Sequence, residues 1–171
     1  MKTLAITFVQ QKTETECGLA ILQMILGYKN PRTQASLLAG QVTGAVHRAP
    51  NVNPLDGVSP DSMEQLLHLL PTPVTAVRST YPHAHLLFAN IKRAIDADNP
   101  IIAYIQNGLQ GLYGHYLLII GYGLDPQASN REFIELHDPE VGANRKVYYD
   151  NFPAKYYTAG DWFWVESWVL S

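Results

Sequence analysis

The sequence has 171 residues, 47% of them hydrophobic and 16% charged, which is the composition of a globular protein with a core of its own. This length predicts a single domain over residues 1–171. The formal net charge of −3 and the lack of a basic run argue against nucleic acid or an anionic membrane as the main partner. No apolar stretch approaches the ~18 residues of a transmembrane helix, so we expect no membrane span.

The chain has one cysteine, Cys17, so no disulfide can form within it. The N-terminal residues MKTLAITFVQQ lack the length and the small-residue cleavage site of a secretory signal peptide. These features fit a cytoplasmic protein, a protein exported without such a signal, or part of a larger chain. A chain of this size needs no metal or cofactor for stability, and we expect none.

The first half of the sequence predicts mainly helices. Residues 17–28, CGLAILQMILGY, are apolar on all sides apart from Gln23, which predicts a buried central helix. Residues 41–60 contain three Pro and two Gly and are expected to form a long irregular loop. The other predicted elements are a short helix at 33–40 closed by Gly40, a helix at 59–70 with Ser59 as N-cap and Pro60 as its first residue, a strand at 72–79, and an amphipathic helix at 82–100.

The second half alternates apolar runs with turn residues, a pattern typical of antiparallel strands. The predicted strands cover 101–106, 115–123, 131–139, 145–152 and 161–170. Helices followed by strands indicate an α+β fold, in which N-terminal helices pack on a C-terminal antiparallel sheet.

Cys17 is expected at the first position of the central helix. Backbone N–H groups point outward there, and the helix dipole favours a thiolate over a thiol. Gly18 follows and leaves the space beside the sulfur free of a side chain, which lets a substrate carbonyl approach. A free cysteine is also among the most buried residue types and often only fills space in a core. The position of Cys17 alone does not decide between these two interpretations.

A base and an orienting acid for such a nucleophile occur in the second half. His115 begins a very apolar predicted strand, and Asp138 ends the next one, which we expect to be its neighbour in the sheet. A turn centred near residue 127 would place His115 opposite residue 138 or 139, within reach of the carboxylate. Taken separately, each residue also has a simpler interpretation. His115 could be a strand-edge histidine without a role, and Asp138 could belong to a turn-forming Asp-Pro. Together with Cys17 they give the order of nucleophile, base and orienting group found in papain-like enzymes.

The segment QKTETECGLAILQMIL resembles the bacteriocin-processing cysteine peptidases, the double-glycine leader peptidases of the papain-like group. Gln11, five further residues, Cys17 and Gly18 reproduce the signature of that family. HYLLIIGYG and HDP match its histidine strand and its Asp-Pro. The resemblance runs from Gln11 to Pro139, about three quarters of the chain. It implies a bacterial thiol protease with a papain-like fold, whose nucleophile opens the central helix.

The resemblance also implies a role for each matched residue. Cys17 would attack the substrate carbonyl, His115 would protonate the leaving amine, and Asp138 would orient His115. Gln11 would donate from its side chain to the oxyanion, beside the backbone N–H of Cys17. Gln10 is the competitor for this role, but the six-residue offset to Cys17 favours Gln11.

Three small or aromatic residues next to these are expected to line a substrate cleft: Gly18, Tyr113 and Gly114. A glycine at 114 would let an extended peptide lie close to the backbone. The expected partner is a peptide or protein substrate, and an inhibitor or immunity protein is a further candidate.

Some features depart from the family pattern. Glu16 stands where the family usually has Asp, and 23 residues separate His115 from Asp138, a longer interval than the family tends to have. The best-known members adjoin membrane transporters with ATP-hydrolysing domains, which these 171 residues do not include. A second hypothesis is therefore a deamidase or transglutaminase-type toxin or effector that uses the same thioester chemistry on glutamine. A third is an inactive peptidase-like domain that binds a peptide.

Other histidines and amides are weaker candidates. The HAH sequence at 83–85 suggests a metal ligand pair, but two histidines so spaced point to different faces of a helix and no cluster completes a site. His137 should point to the opposite strand face from Asp138. Asn144 and Asn151 are the alternative third members of the catalytic group.

Overall fold

The computed structural model describes residues 1–50, 52–53, 57–108, 114–157 and 161–171. Within these residues, helices from the first half of the chain pack on an antiparallel sheet formed mainly by the second half. The predicted α+β class is confirmed. None of the described helices has the length and apolar character needed to cross a bilayer.

The described helices are α1 (Cys17–Lys29), α2 (Ala35–Arg48), α3 (Pro60–Leu69) and α4 (Phe88–Asp96). Helix α1 is central, as predicted, because its side chains meet both α2 and the sheet. Its residues Ile21, Leu22 and Ile25 have no exposed surface. Helix α3 begins as predicted, with the Ser59 hydroxyl accepting a hydrogen bond from the backbone N–H of Ser62 at 3.2 Å.

The strands form one sheet in the order β2-β7-β3-β4-β5-β6, and β1 pairs with β4. All of the pairings are antiparallel. Their bounds are β1 (Lys2–Thr3), β2 (Ala76–Thr80), β3 (Ile101–Asn107), β4 (Gly114–Asp125), β5 (Arg131–Asp138), β6 (Gly142–Tyr148) and β7 (Trp162–Leu170). Short 3-10 turns at Pro126–Ala128 and Tyr149–Asn151 follow β4 and β6.

Helix α2 is longer than the sequence predicted. It continues through Gly40 to Arg48, so residues 41–48, expected to be loop, are helical. Packing of one apolar face outweighs the cost of about 1 kcal/mol for a glycine inside a helix. That buried face consists of Leu38, Val42, Ala45 and Val46.

Helix α4 is shorter than predicted, because residues 82–87 and 97–100 are not helical. The N–H of His83 closes a turn on the carbonyl of Thr80 at 2.8 Å. The carbonyl of Leu86 accepts a hydrogen bond from the Tyr149 hydroxyl at 3.0 Å. These contacts hold the segment before the helix in an irregular, non-helical path, and the helix begins only at Phe88. Strand β2 likewise begins at Ala76, later than the predicted residue 72.

Candidate active site

Cys17 lies at the first position of α1 and is 6% exposed. The turn before it is closed by the N–H of Glu16 on the carbonyl of Thr13 at 3.2 Å. The Glu16 carboxylate makes no cap bond to the helix; it accepts a hydrogen bond from the backbone N–H of Lys12 at 3.0 Å. The first N–H groups of α1 are thus left without a side-chain cap, at the end of the helix where a negative charge is favoured.

Gly18 allows the start of α1 to pack closely against its surroundings. A Cβ at this position would lie 2.8 Å from the Cβ of Val58 and 3.3 Å from Cδ2 of Tyr116. The space predicted to be open for a substrate is therefore occupied by Val58 and Tyr116. Close packing accounts for the glycine, and a contact between Gly18 and substrate stays a prediction.

His115 and Asp138 lie together, as the sequence suggested. The Nε2 atom of His115 is 2.8 Å from Oδ1 of Asp138, and the two residues are 6% and 0% exposed. The Cys17 side chain lies near enough to His115 to raise the pKa of its ring. Because Asp138 takes Nε2, Nδ1 is the ring nitrogen that remains for the thiol. One histidine thus connects the cysteine at the start of α1 to the acid at the end of β5.

The strand register that brings these two residues together differs from the predicted one. Leu118 pairs with His137, so Asp138 lies beside Leu117 instead of directly opposite His115. The pairing also shifts between Ile119 and Gly121, where β4 has an irregularity. Residues 115 and 117 face the same side of β4, so Asp138 reaches His115 as a diagonal neighbour.

The Asp138 carboxylate is saturated with hydrogen-bond donors. Oδ1 also accepts from the backbone N–H groups of Glu140, at 2.9 Å, and Val141, at 3.2 Å. Oδ2 accepts from the hydroxyls of Tyr156, at 2.8 Å, and Tyr157, at 2.7 Å. The two tyrosines were missed from the sequence, because AKYYTAG looked only like a turn. Two adjacent aromatic residues in a segment without strand alternation were the available signal.

The charges of His115 and Asp138 stabilise each other. Burial lowers the pKa of His115, but hydrogen bonds with Asp138 and Cys17 outweigh that effect and raise it to about 9. Burial raises the pKa of Asp138, but the hydrogen bond and charge of His115, with the tyrosine hydroxyls, lower it to about 2. The geometry therefore favours an imidazolium beside a carboxylate at neutral pH.

Gln11 lies beside the Asp138 segment. Its backbone N–H donates to the carbonyl of Pro139 at 3.0 Å, and its side-chain Oε1 is buried without a hydrogen-bond partner among the described residues. The amide of Gln10, by contrast, donates to the carbonyl of Glu140 at 2.9 Å. The side-chain amide of Gln10 is thus hydrogen-bonded to the backbone, whereas the side-chain oxygen of Gln11 has no partner among the described residues.

Two of the predicted cleft residues, Tyr113 and Gly114, directly precede His115 in the sequence. Tyr113 lies outside the described residues. Gly114 is described, and a Cβ there would overlap the ring of Tyr104. Burial and the nearby Cys17 raise the pKa of the Tyr104 hydroxyl. Tyr104 thus lies close to Cys17 and fills the space that Gly114 was predicted to offer to a peptide.

The weaker candidates from the sequence have other contacts. The His137 ring bridges the N-terminal segment and β6. Its Nε2 donates to the carbonyl of Ile6 at 2.9 Å, and its Nδ1 accepts from the N–H of Asn144 at 3.1 Å. The ring of His85 packs against Tyr149 and Trp164. Over the part of the chain that the structure describes, no three His, Cys, Asp or Glu side chains are grouped as a metal site requires.

Comparison with known proteins identifies one family and its fold. A family model described as Peptidase_C39 like family matches residues 3–162. The crystal structure of a double glycine motif protease from an AMS/PCAT transporter, in complex with the leader peptide, is 14% identical, with a TM-score of 0.58 over 99% of this chain and 93% of that chain. The peptidase domain of Streptococcus ComA, a bi-functional ABC transporter involved in quorum sensing, is 12% identical, with a TM-score of 0.55 over 97% and 98%. No curated protein matches the chain.

Proposed function

This chain belongs to the Peptidase_C39 like family, and on that premise we propose that it is a cysteine peptidase in which Cys17, His115 and Asp138 act together. The resemblance to double-glycine peptidases found in the sequence is confirmed by the family match and the two structural matches. One observation carries the proposal. His115 bonds through Nε2 to the buried Asp138 at 2.8 Å, and Cys17, at the start of a buried helix, is near enough to raise the pKa of the same ring.

The proposed reaction begins with the ion pair of a Cys17 thiolate and a His115 imidazolium. The sulfur attacks the carbonyl carbon of the scissile peptide bond, forming the C–S bond and an oxyanion. The imidazolium gives its proton to the amine nitrogen as the C–N bond breaks, which leaves a thioester. Water then attacks the thioester while His115 takes its proton, and the thiolate leaves. Asp138 remains ionised throughout and holds the ring in place.

Negative charge on the oxyanion is stabilised by the start of α1 and by Gln11. The backbone N–H of Cys17 lies at the positive end of the helix, where no side-chain cap competes for it. The side-chain amide of Gln11 is the second donor, and its backbone bond to Pro139 holds it beside Asp138. A donor of this kind contributes on the order of 3 kcal/mol to the transition state.

The proposed substrate is a peptide. The double glycine motif protease that shares this fold was crystallised with a leader peptide. By analogy, an extended segment of the substrate lies across Cys17 and His115, and a double-glycine pair before the cleaved bond is the first sequence to test. An inhibitor or immunity protein would bind the same surface.

The experiment is a cleavage screen. The protein and its Cys17→Ala variant are incubated with a proteome-derived peptide library, to which matched synthetic peptides with Gly-Gly or Ala-Ala before one bond are added. New termini made by the wild type and absent with Cys17→Ala support the proposal. Intact peptides that gain about one mass unit at a glutamine would instead indicate a deamidase, since both reactions use the thioester step. Peptides that bind but stay unchanged would indicate an inactive peptide-binding domain.

A further inference from the structure

The Asp138 carboxylate is held at both of its oxygens, and the two oxygens have different partners. Oδ1 faces His115 and two backbone N–H groups. Among the described residues, the hydrogen-bond donors to Oδ2 are the hydroxyls of Tyr156 and Tyr157, at 2.8 and 2.7 Å. The residue has no exposed surface, so these side chains replace the water that would otherwise solvate Oδ2. Without them, a charged oxygen would be buried and unpaired.

The tyrosine rings are themselves fixed by aromatic packing. The rings of Tyr156 and Tyr157 lie 4.8 Å apart at an angle of 75°. Tyr157 packs on Trp162 at 4.8 Å, and Tyr156 packs on Phe152 at 6.1 Å. The rings of Tyr157 and His115 also meet in a T-shaped arrangement, with their centroids 6.1 Å apart. Rings packed in this way keep their hydroxyls in place before any substrate binds.

The chemistry of the donors suits this place. A lysine or arginine at Oδ2 would satisfy the oxygen but would also neutralise the charge that acts on His115. Two phenol hydroxyls are neutral, so they satisfy Oδ2 and leave the negative charge of Asp138 available to the imidazolium. The pair thus completes the hydrogen bonding of the buried carboxylate without placing a cation directly on Oδ2, since Arg145 interacts with the Tyr156 hydroxyl.

We infer that Tyr156 and Tyr157 are positioning residues of the nucleophilic centre, which fix Oδ2 of Asp138 so that Oδ1 holds the His115 ring toward Cys17. This inference rests on the proposed function, because it requires His115 to act on Cys17. The hydroxyls of both tyrosines bond to Asp138. Their effect passes through Asp138 and then through the orientation and charge of the His115 ring.

The test uses the alkylation rate of Cys17 by iodoacetamide at pH 6, which needs no knowledge of the substrate. Tyr156→Phe and Tyr157→Phe should each slow alkylation about threefold, and the double variant about tenfold, as expected for the loss of one and two hydrogen bonds. The same substitutions in an Asp138→Ala background should change the rate less than about twofold, because the residue through which they act is gone.

Tyr148→Phe is the matched control. Its hydroxyl donates to Oδ2 of Asp125 at 2.7 Å, so it loses the same kind of bond to another aspartate. We expect the wild-type alkylation rate for this variant. Thermal unfolding shows which variants are folded. If the double variant does not fold, the alkylation rates of the two single tyrosine variants test the inference.

Two results would overturn the inference: an unchanged rate in both single variants, or equal slowing in the wild-type and Asp138→Ala backgrounds, which would mean that the tyrosines only stabilise the fold. Failure of the proposed function is separable from both. A protein that cleaves no peptide, but whose alkylation depends on the tyrosines only when Asp138 is present, keeps the inference. A protein that cleaves peptides and shows equal slowing in both backgrounds loses it.

Discussion

The Nε2 atom of His115 lies 2.8 Å from Oδ1 of Asp138, where neither side chain is more than slightly exposed. The two residues are 23 positions apart in sequence and belong to adjacent strands. An imidazole held by a buried carboxylate at one nitrogen has its other nitrogen fixed in direction. The proposed reaction depends on this direction, since the second nitrogen must face Cys17.

Replacement of Asp138 should distinguish hydrogen bonding from charge. In Asp138→Asn, the amide oxygen can still accept from His115 and from the N–H groups of Glu140 and Val141. Its NH₂ group can donate to the two tyrosine hydroxyls, which then turn to act as acceptors. We expect Asp138→Asn to keep the cleavage rate within about tenfold of wild type, and Asp138→Ala to lose on the order of a hundredfold. Equal losses in the two variants would show that the hydrogen-bond geometry is not what matters.

Gln11→Ala should lower turnover of a cleaved peptide on the order of a hundredfold, with little change in KM or in the unfolding temperature. The reason is the loss of a donor that acts only on the oxyanion. Alkylation of Cys17 by iodoacetamide forms no oxyanion, so its rate should be unaffected. Gln10→Ala is the control, because its amide is bound to the carbonyl of Glu140. Loss of turnover in Gln10→Ala with normal turnover in Gln11→Ala would reverse the assignment.

The folded state should depend on pH through the same pair. Despite burial, the partners of His115 raise its pKa from 6.5 to about 9, so its contribution to stability is complete below pH 6.5 and is lost as the pH rises through 9. His115 and the other donors lower the pKa of the buried Asp138 from 3.8 to about 2, so its contribution is present above pH 3.8 and is lost as the pH falls through 2. Both contributions are complete between pH 3.8 and 6.5.

The measurement is urea unfolding of the wild type and Asp138→Asn at pH 5 and pH 9.5. The difference in unfolding free energy should be about 1–3 kcal/mol at pH 5 and clearly smaller at pH 9.5. Glu166→Gln is the control, because Arg78, the ion-pair partner of Glu166, keeps its charge at both pH values. A difference for Asp138→Asn that grows with pH would contradict the assignment of charges.

Two glycines in helices should respond to alanine in opposite ways. Gly18→Ala places a Cβ 2.8 Å from Val58 and should destabilise the protein by about 1–3 kcal/mol. Gly40 in α2 has open space around it, so Gly40→Ala should stabilise by about 0.5–1 kcal/mol. Chemical denaturation of both variants checks this pair. Unchanged stability of Gly18→Ala would mean that Val58 and Tyr116 yield easily.

The positions of three candidate site residues could be predicted from local signals in the sequence. Cys17 was expected at the start of α1 because an apolar run begins there, and His115 and Asp138 were expected to meet because consecutive strands pair. The predicted end of α2 at Gly40 was wrong. The packing of an apolar face of α2 on α1 outweighs the low helix propensity of this glycine. The strand register was displaced, because the irregularity between Ile119 and Gly121 leaves no clear local signal.

The hydrogen bonds of Tyr156 and Tyr157 to Asp138 could not be predicted for another reason. They join a turn to the end of a strand 18 and 19 residues away, and the intervening β6 sets the path of the chain. Such a contact depends on the whole sheet and not on the spacing of residues within one element. Buried polar groups of this kind are found by asking which donors satisfy them once the fold is known.

The most direct test of the account is the rate at which iodoacetamide labels Cys17 at pH 6. A thiol with the ordinary pKa of about 8.5 is less than about 1% thiolate at this pH and reacts slowly. We expect Cys17 in the wild type to react at least about tenfold faster than a model thiol, and His115→Ala to bring the rate close to that of the model thiol. Labelling no faster than a model thiol, or labelling only after denaturation, would contradict the claim that Cys17 is a nucleophile activated by His115.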